Sequence, residues 1–402
     1  MHKIILATTL TALATPALAE PAKIKPLVDV RLRTETIDQA GIARKAEALT
    51  VRIRAGAEVK KGPFALLVEA EGTLALVDHY NSGLNGKTAF PVVADPQNVE
   101  LNRLQLQFTG IPKMLVTVGR QRINLDDQRF VGAVGWRANE QTFDAARIEW
   151  SGVKNVKADV TYAWANRTIW GVDGFGARQT AINGRNVFAN LSYKHKRGTL
   201  TGFAYLVDQN EAAVQGYRLS SQTYGARFAG SAPLSKSTKV SYALSYARQG
   251  DYRNNPNAYR AHYWLGEVGL EANGFKLLGG YEVLGSKTGA AFTSFQTPLA
   301  TLHKFNGWAD KFLTTPANGL RDAYATLGFV KPKWGRLTAL TAQATYHDFK
   351  SARLGQRYGS EINLLLSAKH KRTTFSLKYA DYTAKAFATD TKKFWASIEW
   401  AL

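Results

Sequence analysis

The chain of 402 residues contains no cysteine. That excludes a disulfide framework, a thiolate metal site and a cysteine nucleophile. Beyond its first residues it also lacks any run of about 20 apolar residues, the length a membrane-spanning helix needs. The histidines (His2, His79, His195, His262, His303, His347 and His370) never stand at H-x-x-x-H or H-E-x-x-H spacing. No G-x-S-x-G nucleophile elbow occurs. Catalytic residues and cofactor are therefore not expected, and no metal-ligand motif occurs, although clustered acids could hold a cation; a barrel-type protease or lipase is the enzymatic alternative. No helix-turn-helix, RNP motif or basic low-complexity tail is present, so nucleic acid is not the expected partner.

Acidic residues are scarce: 31 Asp and Glu stand against 52 Lys and Arg, a formal net charge of +21. Such an excess implies anionic partners, either lipid headgroups or acidic small molecules and polymers. The N-terminus has its own character. Met1-His2-Lys3 is followed by an apolar run from Ile4 to Leu13, then by Pro16 and Ala17-Leu18-Ala19. A basic start, a short apolar stretch and an A-x-A end make residues 1–19 an expected secretory signal peptide, with the mature chain starting near Glu20. A buried N-terminal helix is the alternative.

What the sequence has in abundance is alternation. Val28, Val30 and Leu32 share one parity, Asp29, Arg31, Arg33 and Glu35 the other; Leu49, Val51 and Ile53 alternate with Thr50, Arg52 and Arg54. A period of two sustained over such lengths means strand. Further strands are expected at 64–70, 98–109, 113–121, 141–151, 155–166, 185–196, 198–208, 219–229, 237–249, 260–273, 274–285, 320–331, 336–349, 358–370, 373–383 and 392–401, about eighteen in all. Short connections (60–63, 110–112, 152–154, 196–198, 273–274, 371–372) alternate with long ones (77–97, 122–140, 168–184, 285–319). Short turns on one rim and long loops on the other characterise an outer-membrane barrel, with short turns and both termini periplasmic. The fold class is therefore all-β: a transmembrane antiparallel β-barrel over residues 20–402 in the outer membrane. Seventeen Tyr, nineteen Phe and nine Trp suit it; Trp150, Trp334 and Trp400 fall at the expected inner rim, Trp164 and Trp170 at the outer one. The alternative is a soluble all-β protein, but no fixed repeat points to a propeller.

Parity also assigns faces. With the apolar face toward lipid, Arg31, Arg33, Arg52, Arg54, Arg103, Arg147 and Arg227 point into the lumen, as do Lys276 and Lys369. Few acids flank the first five in sequence, but Asp29, Glu58, Glu69, Glu71, Glu149, Glu267, Glu282 and Glu361 are candidate lumen acids, so some of the basic groups are expected to be paired. A basic wall of low dielectric concentrates anions, and arginine forks match carboxylates. The expected solutes are acidic small molecules or polymers, moved without a covalent step.

Two segments stand outside the alternation. One runs Val118-Gly119-Arg120-Gln121-Arg122-Ile123-Asn124, then Asp126-Asp127-Gln128-Arg129-Phe130-Val131-Gly132, Gly135-Trp136-Arg137 and Gln141-Thr142-Phe143-Asp144. The other runs Thr297-Pro298-Leu299-Ala300-Thr301-Leu302-His303, with Asn306-Gly307-Trp308-Ala309-Asp310-Lys311-Phe312. Both resemble the alginate-export family of bacterial outer-membrane barrels. The resemblance implies an eighteen-stranded barrel with an electropositive lumen that passes an anionic polysaccharide. Here the connection Lys371-Arg372 is too short to plug the periplasmic end and the other turns there are also short, although 230–236 could cover a little of the rim, which favours less gated conduction and a smaller solute. Arg120, Arg122, Arg129, Arg137, Trp136, His303, Trp308 and Lys311 are expected at the outer mouth, although parity turns Arg120 toward lipid. The apolar loop 285–319 is expected to fold inward or across the mouth. An uptake porin for small organic anions, or a receptor or adhesin that uses its long loops, are the other readings. Oligomeric state, including monomer, is left open.

Overall fold

The computed structural model describes residues 21–402; the expected leader, residues 1–19, lies outside the described residues. Among the described residues, eighteen strands form one sheet that closes on itself. They are β1 (Lys23–Gln39), β2 (Ala46–Lys61), β3 (Phe64–His79), β4 (Asn98–Phe108), β5 (Met114–Gln121) and β6 (Thr142–Trp150). Next come β7 (Val156–Arg167), β8 (Ala181–His195), β9 (Gly198–Val207), β10 (Ser221–Pro233), β11 (Thr238–Asp251) and β12 (Arg260–Ala272). The circuit ends with β13 (Phe275–Leu284), β14 (Leu320–Trp334), β15 (Leu337–Lys350), β16 (Arg357–His370), β17 (Thr373–Ala384) and β18 (Thr391–Ala401). Each strand pairs antiparallel with its sequence neighbours, and β1 closes the barrel against β18 with Val30 opposite Trp400 and Thr36 opposite Phe394. Closure leaves no open edge, which a bilayer demands because its interior offers no water to unpaired backbone groups.

The expected strands and connection pattern are present. The alternation underestimates several strands: β1 starts at Lys23, β3 runs to His79, and β10 spans Ser221–Pro233 rather than 219–229. Strand ends beyond the membrane no longer face lipid, so the hydrophobic signal fades before the hydrogen-bond ladder does.

The barrel is inside-out relative to a soluble protein. Outward rows are apolar and exposed, as at Leu244, Val268, Leu277 and Leu327, whereas the buried inward rows carry Arg31, Arg52, Glu69, Glu71 and Thr161. Only lipid makes that arrangement stable, since the outer row stays out of water. Among the described residues, no helix is long and apolar enough to cross a membrane. The buried aromatic core lies inside the barrel, between the wall and the loops folded into it.

Candidate functional site

Loops 122–141 and 285–319 both enter the lumen. They meet in a short parallel bridge between Val131 and Leu299, where the Gly132 N–H donates to the Leu299 carbonyl at 2.9 Å and the Thr301 N–H to that of Gln128 at 3.1 Å. Gly132 permits this approach: a Cβ there would stand 2.3 Å from Thr301 Oγ1. Composition explains why these loops do not stay in solvent. Phe130 packs among Phe203, Tyr205, Tyr263 and Phe295, and Phe312 among Phe349, Tyr358, Tyr382 and Phe387. Burying one such ring is worth about 1.5–3 kcal/mol. The expectation that loop 285–319 turns inward agrees with this geometry.

Arg129 locks the junction. Its guanidinium is buried and donates to Glu282 on β13 (2.6 Å), Thr297 Oγ1 (3.0 Å) and Asn306 Oδ1 (3.1 Å). Arg137, also buried, reaches Glu35 and Asp310, each at 3.2 Å. Asp95, from loop 80–97, binds Arg33 and accepts the Ala138 N–H at 2.6 Å. Burial disfavours the Asp95 carboxylate, but Arg33 and Arg137 outweigh it and bring its pKa down to about 2. Glu140 is likewise held low: burial is overcome by Arg54 and Arg122.

These contacts correct two expectations. Pairing in the lumen goes further than expected, reaching most of the lumen arginines and not only some of them. Arg33 pairs with Asp95, Arg52 with Asp29 and Glu399, Arg54 with Glu71 and Glu140, and Arg103 forks onto Glu69 at 2.6 and 2.8 Å. Arg147 does the same with Asp159 at 2.5 and 2.9 Å, and Arg227 meets Asp127 at 3.0 Å. The acids come from neighbouring strands and from loops remote in sequence. Second, Arg129, Arg137, Trp136 and His303 sit inside the barrel, buried or nearly so, rather than fringing its mouth, and Arg122 spends its charge on Glu140. Arg120 does follow its parity to the outer face, near the long-loop end of β5, where Asp144 directly across the ladder neutralises it at 2.8 and 3.2 Å.

At the centre stands a lysine not anticipated as a site residue. Lys378 projects from β17 with its amine 3.8 Å from the Trp136 ring centroid, 3.9 Å from Trp308 and 5.4 Å from Trp395. The same amine donates to His303 Nε2 at 2.8 Å. His303 in turn donates from Nδ1 to Asp310 at 2.8 Å and stacks on Trp136, with centroids 4.4 Å apart. Asp310 is also held by Lys393 of β18 at 2.9 Å. Neutral His303 with its proton on Nδ1 satisfies both neighbours. Burial and the Lys378 amine push its pKa down to about 3. Asp310 lies well below the usual carboxylate range, because Lys393 and His303 overcome its burial. Alternation could have found Lys378: Ser376, Lys378 and Ala380 share the parity opposite to Phe375, Leu377 and Tyr379.

The plug divides the lumen. An inner cavity of about 760 Å³ is bounded by Arg31, Lys304, Trp308 and Lys378, among others, and an outer one of about 620 Å³ by Arg137, Lys311 and Lys393; His303 borders both. Of the basic side chains on these walls, Arg31, Lys304, Lys311 and Lys378 have no carboxylate within ion-pair distance among the described residues. Arg31 is buried, yet its Nη2 has no hydrogen-bond partner, and neither has Trp136 Nε1 beside it. Nη1 of Arg31 reaches only the Gly135 carbonyl, at 3.4 Å. No group of three or more His, Cys, Asp or Glu that could hold a metal occurs among the described residues.

A family model described as alginate export matches residues 28–279. No curated protein matches the sequence. Among solved structures, the chain is similar to OpdL of Pseudomonas aeruginosa (14% identity, 94% of this chain and 98% of that one, TM-score 0.68). It is similar to OccAB4 of Acinetobacter baumannii (11% identity, 96% and 100%, TM-score 0.69). A third is OpdK of Pseudomonas aeruginosa, solved with vanillate (12% identity, 94% and 98%, TM-score 0.69). At such identities the likeness is one of fold.

Proposed function

Because the chain belongs to the alginate export family and is an outer-membrane channel, we propose that it passes carboxylate-bearing solutes by passive diffusion, namely short acidic saccharides and small organic acids. The observation that carries this reading is the succession of cations without carboxylate partners along the path: Lys311 in the outer cavity, Lys378 at the plug, then Arg31 and Lys304 in the inner cavity. A paired arginine contributes little net field, whereas an unpaired cation in a low-dielectric wall attracts an anion strongly. The unsatisfied Arg31 Nη2 and Trp136 Nε1 supply donors to an acceptor group there. The paired arginines, Arg33, Arg52, Arg54, Arg103, Arg147 and Arg227, hold the wall and the plug in place. The first 19 residues serve as a cleaved export leader in this reading, and mass spectrometry of the mature N-terminus checks it.

The inward loops favour short solutes over a polymer, since a long chain would have to thread the seat between Trp136 and Trp308. Reversal potentials in planar bilayers under a salt gradient test the proposal. Wild type prefers anions, and Arg31→Gln with Lys304→Gln reduces that preference; clear cation preference in wild type overturns it. Single-channel block by uronate oligomers of rising length, against small carboxylates, sets the size limit. Block that strengthens without limit as the oligomer lengthens would restore the polysaccharide-export reading. Deleting the gene, then measuring polymer secretion and growth on uronates, decides direction.

A further inference from the structure

On the outer surface, near the long-loop rim, β11 and β12 present a cluster that the channel reading does not use. Arg248 lies directly across the ladder from His262, and Arg260 across from Gly250. All three cluster side chains are exposed, on the same face as the lipid-facing Leu244 and Val268. One register step nearer the membrane centre, about 7 Å along the strands, Tyr246 stands across from Trp264, with ring centroids 4.3 Å apart. Tyr224 of β10 flanks Arg248 on its other side. Aromatic rings of this kind mark the boundary between acyl chains and headgroups. The arginines therefore sit at headgroup height in the leaflet on the long-loop side.

These charges are unspent. Arg248 and Arg260 make no hydrogen bond, ion pair or ring contact among the described residues. Several cations elsewhere near this rim meet carboxylates: Lys45 with Asp38, Arg120 with Asp144, Lys350 and Arg357 with Asp348, Lys392 with Asp381. The sequence explains the contrast. Between Glu211 and Glu267 it has one acid, Asp251, against seven Lys and Arg. Asp251 is occupied as acceptor of the Tyr259 N–H at 3.2 Å. His262 adds a donor: with Nδ1 accepting from the Tyr246 hydroxyl at 2.8 Å, its proton resides on Nε2.

We propose that Arg248, Arg260 and His262 form a docking site for a phosphorylated glycolipid of the outer leaflet, whose acyl chains lie along the Tyr246 and Trp264 face. Two guanidiniums and an imidazole N–H suit a phosphate, which accepts several donors at once. The apolar surface directly below distinguishes a lipid from a free anion, because the same ligand that meets the cations must cover those rings. A basic cluster beside a membrane interface attracts anionic headgroups by roughly fivefold in affinity for each charge.

Native mass spectrometry of the full chain in phosphocholine detergent, titrated with diphosphoryl lipid A, tests the site. Wild type should retain the lipid, and Arg248→Gln with Arg260→Gln should weaken retention roughly thirtyfold. The Lys350→Gln, Arg357→Gln variant should leave retention unchanged, because those cations already share Asp348. Unaltered single-channel conductance of each variant establishes that the barrel is folded. Equal retention of a dephosphorylated lipid A, equal loss in both variants, or complete displacement by millimolar inorganic phosphate would overturn the proposal. So would binding of an acidic polysaccharide in preference to the lipid.

Discussion

The amine of Lys378 on β17 lies 2.8 Å from Nε2 of His303, a residue 75 positions earlier in the chain. That bond, with the tryptophans around it, ties a loop to the barrel wall inside the lumen. Lys378→Met keeps an unbranched side chain one atom shorter and removes the ammonium. It forfeits cation–π contacts worth about 2 kcal/mol each when desolvated. The expected outcome is a noisier channel with weaker anion preference, read as single-channel current fluctuation and reversal potential. Records indistinguishable from wild type would return Lys378 to a merely structural role.

Lys311 gives the channel an alkaline step. Burial and the neighbouring Lys393 lower its pKa to about 8, against the opposing pull of Asp310 and Glu361. Below that value the outer cavity carries the charge; above it the charge is lost. Anion preference should therefore fall as pH rises from 7 to 9. Lys311→Gln should abolish the step while retaining any slope due to other groups. On the stability side the sign is opposite. A lysine whose pKa is depressed in the folded protein binds fewer protons there than when released, so raising pH from about 8 toward its ordinary 10.5 relieves a penalty.

Acid should loosen the plug. His303 has a folded pKa of about 3 against an ordinary 6.5, and Asp310 is held well below 3.8. Both groups bind fewer protons in the seated loop than in a released one, so their contribution is full at neutral pH. The histidine's share is lost as pH falls below 6.5 and the aspartate's below 3.8. Protease sensitivity of loop 285–319 should rise between pH 6 and 4 in wild type. His303→Gln should flatten that rise, and an unchanged profile in this variant would refute the assignment.

Arg129→Met leaves Glu282 buried without its guanidinium, a loss on the order of 3–5 kcal/mol for an uncompensated buried charge. Loops 122–141 and 285–319 should then become protease-sensitive while the barrel remains folded. Adding Glu282→Gln should recover much of the loss. If the double variant is as damaged as the single, the pair is not the anchor and the aromatic packing of Phe130 carries the junction instead.

Gly307 offers a steric check on the same seat. Its φ of 84° favours glycine, and a Cβ would stand 2.3 Å from Glu361 Oε2. Gly307→Ala should displace the loop and enlarge the conductance, with barrel stability little changed. A conductance equal to wild type would mean that the loop absorbs the methyl group without leaving the lumen.

The sequence by itself determined the barrel. Alternation such as Val28, Val30, Leu32 against Asp29, Arg31, Arg33 is local and has a period of two, so it names both the strand and its lumen face without knowledge of any partner. Turns such as Asn273-Gly274 and Lys371-Arg372 fix which strand follows which. Loop 285–319 could be judged unfit for solvent from its Phe and Trp content alone. What parity cannot supply is height along the barrel axis and the landing place of a loop. Arg33 meets Asp95, Arg129 meets Glu282 and Arg137 meets Asp310 because loops cross the lumen, and nothing within a few residues of any of them announces its partner. Which cations are neutralised, and which, like Arg31 and Lys311, keep no carboxylate partner among the described residues, depends on the folded arrangement. Coulombic pairing depends on distance in space and burial, not on separation along the chain.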